Sequence, residues 1–234
     1  MGRAFDGGYA EYVRVPARNV RRIETDLPWP VLGALPEMLQ TAWGALFTAL
    51  DCHPGERILI RGGTTSVGLV AAQLASRKGL IVASTTRQPD RLAFLADKGV
   101  HHPLVDRGAI TEDLRRIWPD GADKVFELVG TGSLLDSLMC VRKGGIVCMA
   151  GMVGDNWTLP DFEPMMAIPS GVHLTTYSGD VEDFLAMPLQ ELIDAVARGE
   201  IVPPLGPTFR LSDIAEAHRC MEGNQALGKI VVIP

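Results

Sequence analysis

From residue 57 onward the chain alternates short β-branched runs with longer stretches whose apolar residues recur at helical spacing. That pattern predicts a parallel sheet with crossover helices. Arg57-Ile58-Leu59-Ile60-Arg61 reads as the first strand. After a glycine-rich turn, Val67, Leu69, Val70, Ala71, Leu74 and Ala75 fall on helical spacing, and Gly79 suits the position just past a helix C-terminus. Further strands are predicted over 80–84, 102–105, 123–129 and 145–150, separated by helices over 90–98, 113–118 and 134–141. The expected core is a doubly wound α/β sheet. Its flanks read differently. Residues 35–50 make an apolar helical stretch, residues 9–15 alternate like a strand of another sheet, and a strand over 172–177 precedes an amphipathic helix over 181–198. The tail predicts a strand (208–210), a helix (212–221) and a strand (229–233).

Composition narrows the class of protein. With 234 residues and 47% hydrophobic content, the chain can bury a sizeable core, which excludes disorder. A formal net charge of −6 without a block of Lys or Arg gives no electrostatic reason to expect a nucleic-acid partner. Cys52, Cys140, Cys148 and Cys220 lie far apart with no C-x-x-C pair, so neither a zinc knuckle nor a disulfide framework is supported. They fit a reducing cytoplasm. The first six residues contain no apolar export signal, Asp6 stands where a myristoylation motif needs Ser or Thr, and no apolar run is long enough to span a bilayer. A soluble cytoplasmic protein without a membrane partner is the expectation.

The candidate chemistry lies in the turn Gly62-Gly63-Thr64-Thr65-Ser66-Val67-Gly68, placed between a predicted strand and a predicted helix. Backbone amides at a helix N-terminus carry partial positive charge, and small residues there let a pyrophosphate approach closely. Gly63 and Gly68 fill the first and third glycine positions of a dinucleotide fingerprint. Thr65 occupies the second, which narrows the approach but leaves a hydroxyl donor available from Thr64, Thr65 or Ser66. A Walker loop is excluded because Leu69 and Val70 follow Gly68 where Lys and Ser or Thr would be needed. A hydrolase elbow around Ser66 is excluded because residue 64 is Thr and not Gly.

The end of the second strand distinguishes between dinucleotides. An NAD site places Asp or Glu there to accept from the ribose 2′-hydroxyl. This chain has Ser84-Thr85-Thr86-Arg87-Gln88-Pro89-Asp90-Arg91 instead. Hydroxyls and two guanidinium groups suit a 2′-phosphate, since Arg makes bidentate charge-assisted bonds to it. One such bond, at about 1.5–3 kcal/mol, corresponds to roughly a ten- to hundredfold preference for NADPH. The competing reading makes Arg87 and Arg91 solvated residues at a helix start, where positive charge is mildly unfavourable. Asp90 is then a cap or an ion-pair partner.

Gly7-Gly8-Tyr9-Ala10-Glu11-Tyr12-Val13, Gln40-Thr41-Ala42-Trp43, the turn with Ala72-Gln73-Leu74-Ala75, Thr85-Thr86-Arg87, and Asn224 followed by Gly228-Lys229-Ile230-Val231-Val232 occur in a fixed order. That order resembles the medium-chain dehydrogenase/reductase superfamily, particularly its quinone-oxidoreductase-like members. The resemblance implies a Rossmann domain over residues 33–204 and NADP(H) as cofactor. Residues 1–32 and 205–234 would be remnants of a chaperonin-10-like catalytic domain, most of which is missing.

Cofactor residues follow from the same resemblance. Thr41 would lie beside the nicotinamide. Gly63, Thr64, Thr65, Ser66 and Val67 would hold the pyrophosphate, and Thr85, Thr86, Arg87 and Arg91 the adenosine phosphate. Leu128 and Val129 would line the ribose, Gly151 and Met152 would approach the nicotinamide, and Asn224 and Lys229 would close on the cofactor. Residues 172–177 would pair two copies into a homodimer, which also disposes of an exposed sheet edge. No metal site is expected, since the five histidines have no carboxylate or thiolate grouping beside them.

Two functions compete. One is an oxidoreductase that moves hydride to an apolar quinone, enone or carbonyl without zinc, the cofactor carrying the chemistry. No general acid stands out among Tyr9, Tyr12 and Tyr177, and Met149, Met152, Met165 and Met166 serve either a pocket or the core. The other is an NADPH-binding pseudoenzyme or truncated protein with a sensing, scaffold or repurposed role.

Overall fold

Ile58, Leu59 and Ile60 are wholly buried, because the strand they form has a neighbour on each side and helices above and below. The structure, a computed structural model, describes residues 7–234. The N-terminal reading at residues 1–6 falls outside them. Strands β1 (Arg57–Arg61), β2 (Ile81–Thr86), β3 (His102–Val105), β4 (Ala122–Glu127), β5 (Val141–Met149) and β6 (His173–Thr176) form one parallel sheet in the order β3-β2-β1-β4-β5-β6. The order reverses between β1 and β4, and the crevice outside the carboxyl ends of strands at such a switch point is where open α/β sheets bind ligands.

Register explains the layering. Ala83, Leu59, Val125, Val147 and Leu174 are successive partners across five strands, so they share one face of the sheet. Against that face pack Leu114 of the helix Thr111–Ile117 and Leu134 and Leu138 of the helix Thr131–Cys140. The helix Ser66–Arg77 lies on β1 and β2, burying Leu69, Val70, Ala71, Leu74 and Ala75.

The chain divides into two units, Thr41–Gly179 and Met1–Gln40 with Asp180–Pro234. The first carries the six-stranded sheet. In the second, β7 (Leu205–Arg210) and β8 (Lys229–Ile233) run parallel and flank the helix Ile214–Glu222. The carboxamide of Gln190 accepts from the Glu24 amide at 2.9 Å and donates to the Glu24 carbonyl at 2.7 Å, tying the N-terminal segment to the helix Leu189–Ala197.

Three local expectations are corrected. Residues 9–15 form no strand. Tyr9, Tyr12 and Val13 are all exposed, so the alternation buries no apolar face, and among the described residues β7 and β8 pair only with each other. The helix expected over 181–198 is two helices, Val181–Ala186 and Leu189–Ala197, because Pro188 lacks an amide and forces Met187 into the extended region. The stretch over 35–50 is a helix Leu35–Trp43 continued by a π-helical turn Gly44–Ala49, where a Cβ on Gly44 would sit 1.9 Å from Tyr177 Cζ. Among the described residues, no helix is long and apolar enough to cross a membrane.

At the amino ends of the strands Asp123 accepts from the Arg57 amide at 2.7 Å, from Arg57 Nε at 3.2 Å and from Arg142 Nε. Burial works to raise its pKa, but the bonds from Arg142 and Arg57 outweigh it and hold the carboxyl down at about 2. A carboxyl depressed on folding contributes stability that is complete above its unfolded value and lost as pH falls through the folded one. Acid titration should therefore remove on the order of 1–2 kcal/mol of unfolding free energy between about pH 4 and pH 2. Asp123→Asn should flatten that segment of the curve, and an unaltered slope would refute the assignment.

Candidate functional site: a phosphate cradle at the sheet switch point

The turn after β1 is fixed by its own hydroxyls. Gly62 has φ +85°, a conformation that L side chains rarely adopt. Thr65 is the N-cap of the helix Ser66–Arg77: its hydroxyl accepts from the Gly68 amide at 3.0 Å and donates to the Gly62 carbonyl at 2.8 Å. Its proton is thereby committed inside the turn. Of the three hydroxyls considered as donors to a ligand, Thr64 and Ser66 remain. A Cβ at Gly63 would lie 1.8 Å from Ser84 Oγ, and one at Gly68 would lie 2.6 Å from the Gly62 carbonyl oxygen. Both glycines are needed for strand–helix contact, and the helix then presents its positive end over the switch point.

The end of β2 is similarly committed. Thr85, 1% exposed, accepts from the Gly62 amide at 3.1 Å and hydrogen-bonds to Asp106. Thr86 Oγ1 accepts from the Gln88 amide at 3.2 Å. Arg87 is exposed. A cavity of about 450 Å³ opens here, lined by Thr64 and Thr65 of the turn, Thr85, Thr86 and Arg87 of the β2 end, Arg107 and Gly108 after β3, Val129, Gly132 and Ser133 after β4, and Val153 and Gly154 after β5. A Cβ on Gly132 would meet nothing within 4 Å, so the lining has room for a ligand there.

Beneath the cavity Arg61, fully buried at the end of β1, holds the loops together. Its Nε and Nη2 bond Asp106 at 2.8 and 3.2 Å, Nη1 bonds Asp136 at 2.6 Å, and the carbonyls of Ser133 and Gly108 accept at 3.1 and 2.9 Å. Burial works to raise the Asp106 pKa, but the Arg61 and Gly108 bonds pull it below the usual carboxylate value. Glu127, also fully buried, accepts from the amides of Val129 and Gly130 at 2.6 and 3.1 Å and from Ser137 Oγ. Burial pushes its carboxyl up, against the pull of Ser137, Gly130 and Arg61. Glu127 thus sets the loop that lines one wall of the cavity.

Of the residues singled out in the sequence, Thr64, Thr65, Thr85, Thr86, Arg87 and Val129 line this cavity. Gly63, Ser66 and Val67 belong to the turn beneath it without lining it. Leu128 is 3% exposed and turned into the core, while Gly151 and Met152 are half-buried, Gly151 packing against Leu128. Arg91 is half-buried in a 3₁₀ turn, Pro89–Arg91, off the lining. Thr41 is half-buried near the end of the helix Leu35–Trp43. Asn224 and Lys229 lie in the terminal unit, where Asn224 has φ +53° and Lys229 pairs with Glu37. Met165 and Met166 are 96% and 80% exposed, so they pack in neither core nor cavity. Sequence reasoning missed Arg61 and Arg107, which also line the cavity. For Arg61 the signal was an arginine closing an apolar strand; Arg107 had none, because only the pairing of β3 with β2 brings it to the cavity.

Among the described residues, no three His, Cys, Asp or Glu side chains gather as a metal site would require. The profile of the zinc-binding dehydrogenase family matches residues 98–232. A quinone oxidoreductase of Pongo abelii is 27% identical over 232 residues, which cover 97% of this chain and 69% of the relative. The crystal structure of AibC superposes with a TM-score of 0.87 at 25% identity, covering all of this chain and 64% of that one, so this chain spans less than two thirds of that protein. A mycobacterial structure solved with NADPH shares the fold, with a TM-score of 0.78 at 23% identity over 91% of this chain and 67% of that chain. Strand order, glycine turn and family profile agree: this chain belongs to the zinc-binding dehydrogenase family, among the quinone-oxidoreductase-like members of the medium-chain dehydrogenase/reductase superfamily.

Proposed function

We propose that the protein is an NADP(H)-dependent oxidoreductase that transfers hydride to an apolar quinone, enone or carbonyl without zinc. The observation that carries this reading is the cavity at the switch point, where a capped helix N-terminus and an arginine-bearing strand end face the same space. Bound NADP(H) supplies the hydride. The chain's own residues bind and orient. Backbone amides at the start of the helix Ser66–Arg77 and the hydroxyls of Thr64 and Ser66 receive the pyrophosphate, and Arg87 the 2′-phosphate. The Val129 loop, fixed by Glu127, borders the ribose. Thr41, Gly151 and Met152 complete the proposed cofactor set within the unit that carries the sheet. β6 ends the sheet order, and its outer edge supports a homodimer through residues 172–177.

NADPH oxidation measured with a quinone and with an enone tests the activity, beside an NADPH titration of the same preparation. Steady turnover with either acceptor is the expected result. Tight NADPH binding without turnover would replace this reading with a sensing or scaffold role, and no binding at all would remove both. Light scattering on the same preparation should give twice the 25.3 kDa chain mass, and a monomer would remove the edge-strand dimer.

A further inference from the structure

The cavity has a second exposed guanidinium that the fingerprint logic does not contain. β2 and β3 pair in parallel, with Thr86 opposite Val105, and the Asp106 amide donates to the Thr86 carbonyl at 2.8 Å. Arg87 and Arg107 therefore leave neighbouring strand ends, which parallel pairing sets about 4.8 Å apart. Both line the same cavity, and among the described residues neither makes an ion pair.

The loop that carries Arg107 is anchored on both sides of it. Asp106 takes the fork of Arg61, the Gly108 carbonyl accepts from Arg61 Nη2 at 2.9 Å, and the Gly108 amide returns to Asp106 Oδ1 at 2.9 Å. A buried guanidinium thus fixes the residues before and after an exposed one. Of the two other arginines near the cavity, Arg61 has its nitrogens engaged with protein acceptors and Arg91 lies off the lining.

We infer that Arg107 is a specificity-determining residue for the cofactor, gripping the 2′-phosphate opposite Arg87, and that Asp106, held by Arg61, is the positioning residue for it. This rests on the NADP(H) reading above and extends it to an element outside the β2 loop. Two guanidinium groups from adjacent strand ends can share the oxygens of one phosphate, whereas NADH offers them only a 2′-hydroxyl.

The test is equilibrium titration of the full chain with NADPH and with NADH, followed by nucleotide fluorescence, so the readout is the ratio of two dissociation constants and not turnover. Arg107→Ala should lower the preference for NADPH by about tenfold, as loss of one charge-assisted contact predicts, with NADH affinity unchanged. Arg107→Lys should restore part of it. Asp106→Asn should lower the ratio with Arg107 still present. An unchanged ratio in Arg107→Ala, in a wild-type protein that prefers NADPH, would overturn the inference while leaving the proposed cofactor intact. Equal weakening of both nucleotides would assign Arg107 to the adenine instead, and overturn it too. If the wild type binds neither nucleotide, the functional reading itself fails and takes the inference with it. An Asp106→Asn ratio equal to wild type would remove the positioning role alone.

Discussion

Arg61→Met should lower the free energy of unfolding by about 3–5 kcal/mol in urea denaturation. The guanidinium is fully buried and is the cationic partner of both Asp106 and Asp136. Methionine fills much of the same volume and removes every donor. Asp136 keeps the Ile110 amide at 2.9 Å and the Thr111 hydroxyl at 2.7 Å, and Asp106 keeps Gly108, but neither retains an opposite charge. Breaking a buried ion pair by deleting one member costs more than replacing the whole pair, since the survivor remains desolvated. Adding Asp106→Asn to Arg61→Met should therefore cost less than the sum of the two single changes. A loss below about 1 kcal/mol for Arg61→Met would mean that the network is solvated and contributes little.

Gly68→Ala should weaken NADPH binding by about 10- to 100-fold and cost about 1–3 kcal/mol in stability. The added methyl would lie 2.6 Å from the Gly62 carbonyl oxygen and 2.9 Å from Gly63 Cα, both backbone atoms that no rotamer change can move. To admit it the turn must open. The first bonds disturbed are those that Thr65 makes to Gly62 and Gly68, and with them go the amide directions that a pyrophosphate would meet. Gly132→Ala is the matched control for folding, because its Cβ meets nothing within 4 Å and the same methyl should leave stability within about 0.5 kcal/mol. NADPH titration of Gly68→Ala, with denaturation of both variants, separates the effects. Wild-type affinity in Gly68→Ala would show that the turn does not form the phosphate cradle.

Much of the fold was legible because its signal is local. β1, β3 and β8 fall where the apolar runs predicted them; β1, covered on both faces, is apolar through its middle, whereas β3 and β8 are half-buried and were legible from their β-branched and aliphatic residues. The glycine turn was legible through its place between strand and helix. Other features depended on pairing that periodicity does not encode. β5 begins at Val141, four residues earlier than its apolar run, because the Arg142 bond to Asp123 and a register shift near Ala122 carry polar residues into the ladder. Thr65 and Thr85 looked like ligand donors and are structural, because their hydroxyls reach backbone groups of the turn first. Arg107 sits in a loop, and its proximity to Arg87 exists only once β3 lies beside β2.

The buried Arg61 couples the loop after β3 to the helix Thr131–Cys140 through one side chain. Anyone recasting this protein for NADH would begin with Arg87 and treat the segment after β3 as an independent module to exchange. It is not independent. A donor loop without a carboxylate at position 106 would arrive with Arg61 facing an empty place, and the chimera would lose folding yield before its cofactor choice could be assayed. The transferable unit is the set Arg61, Asp106 and Asp136, so libraries at this edge of the sheet should vary the three together.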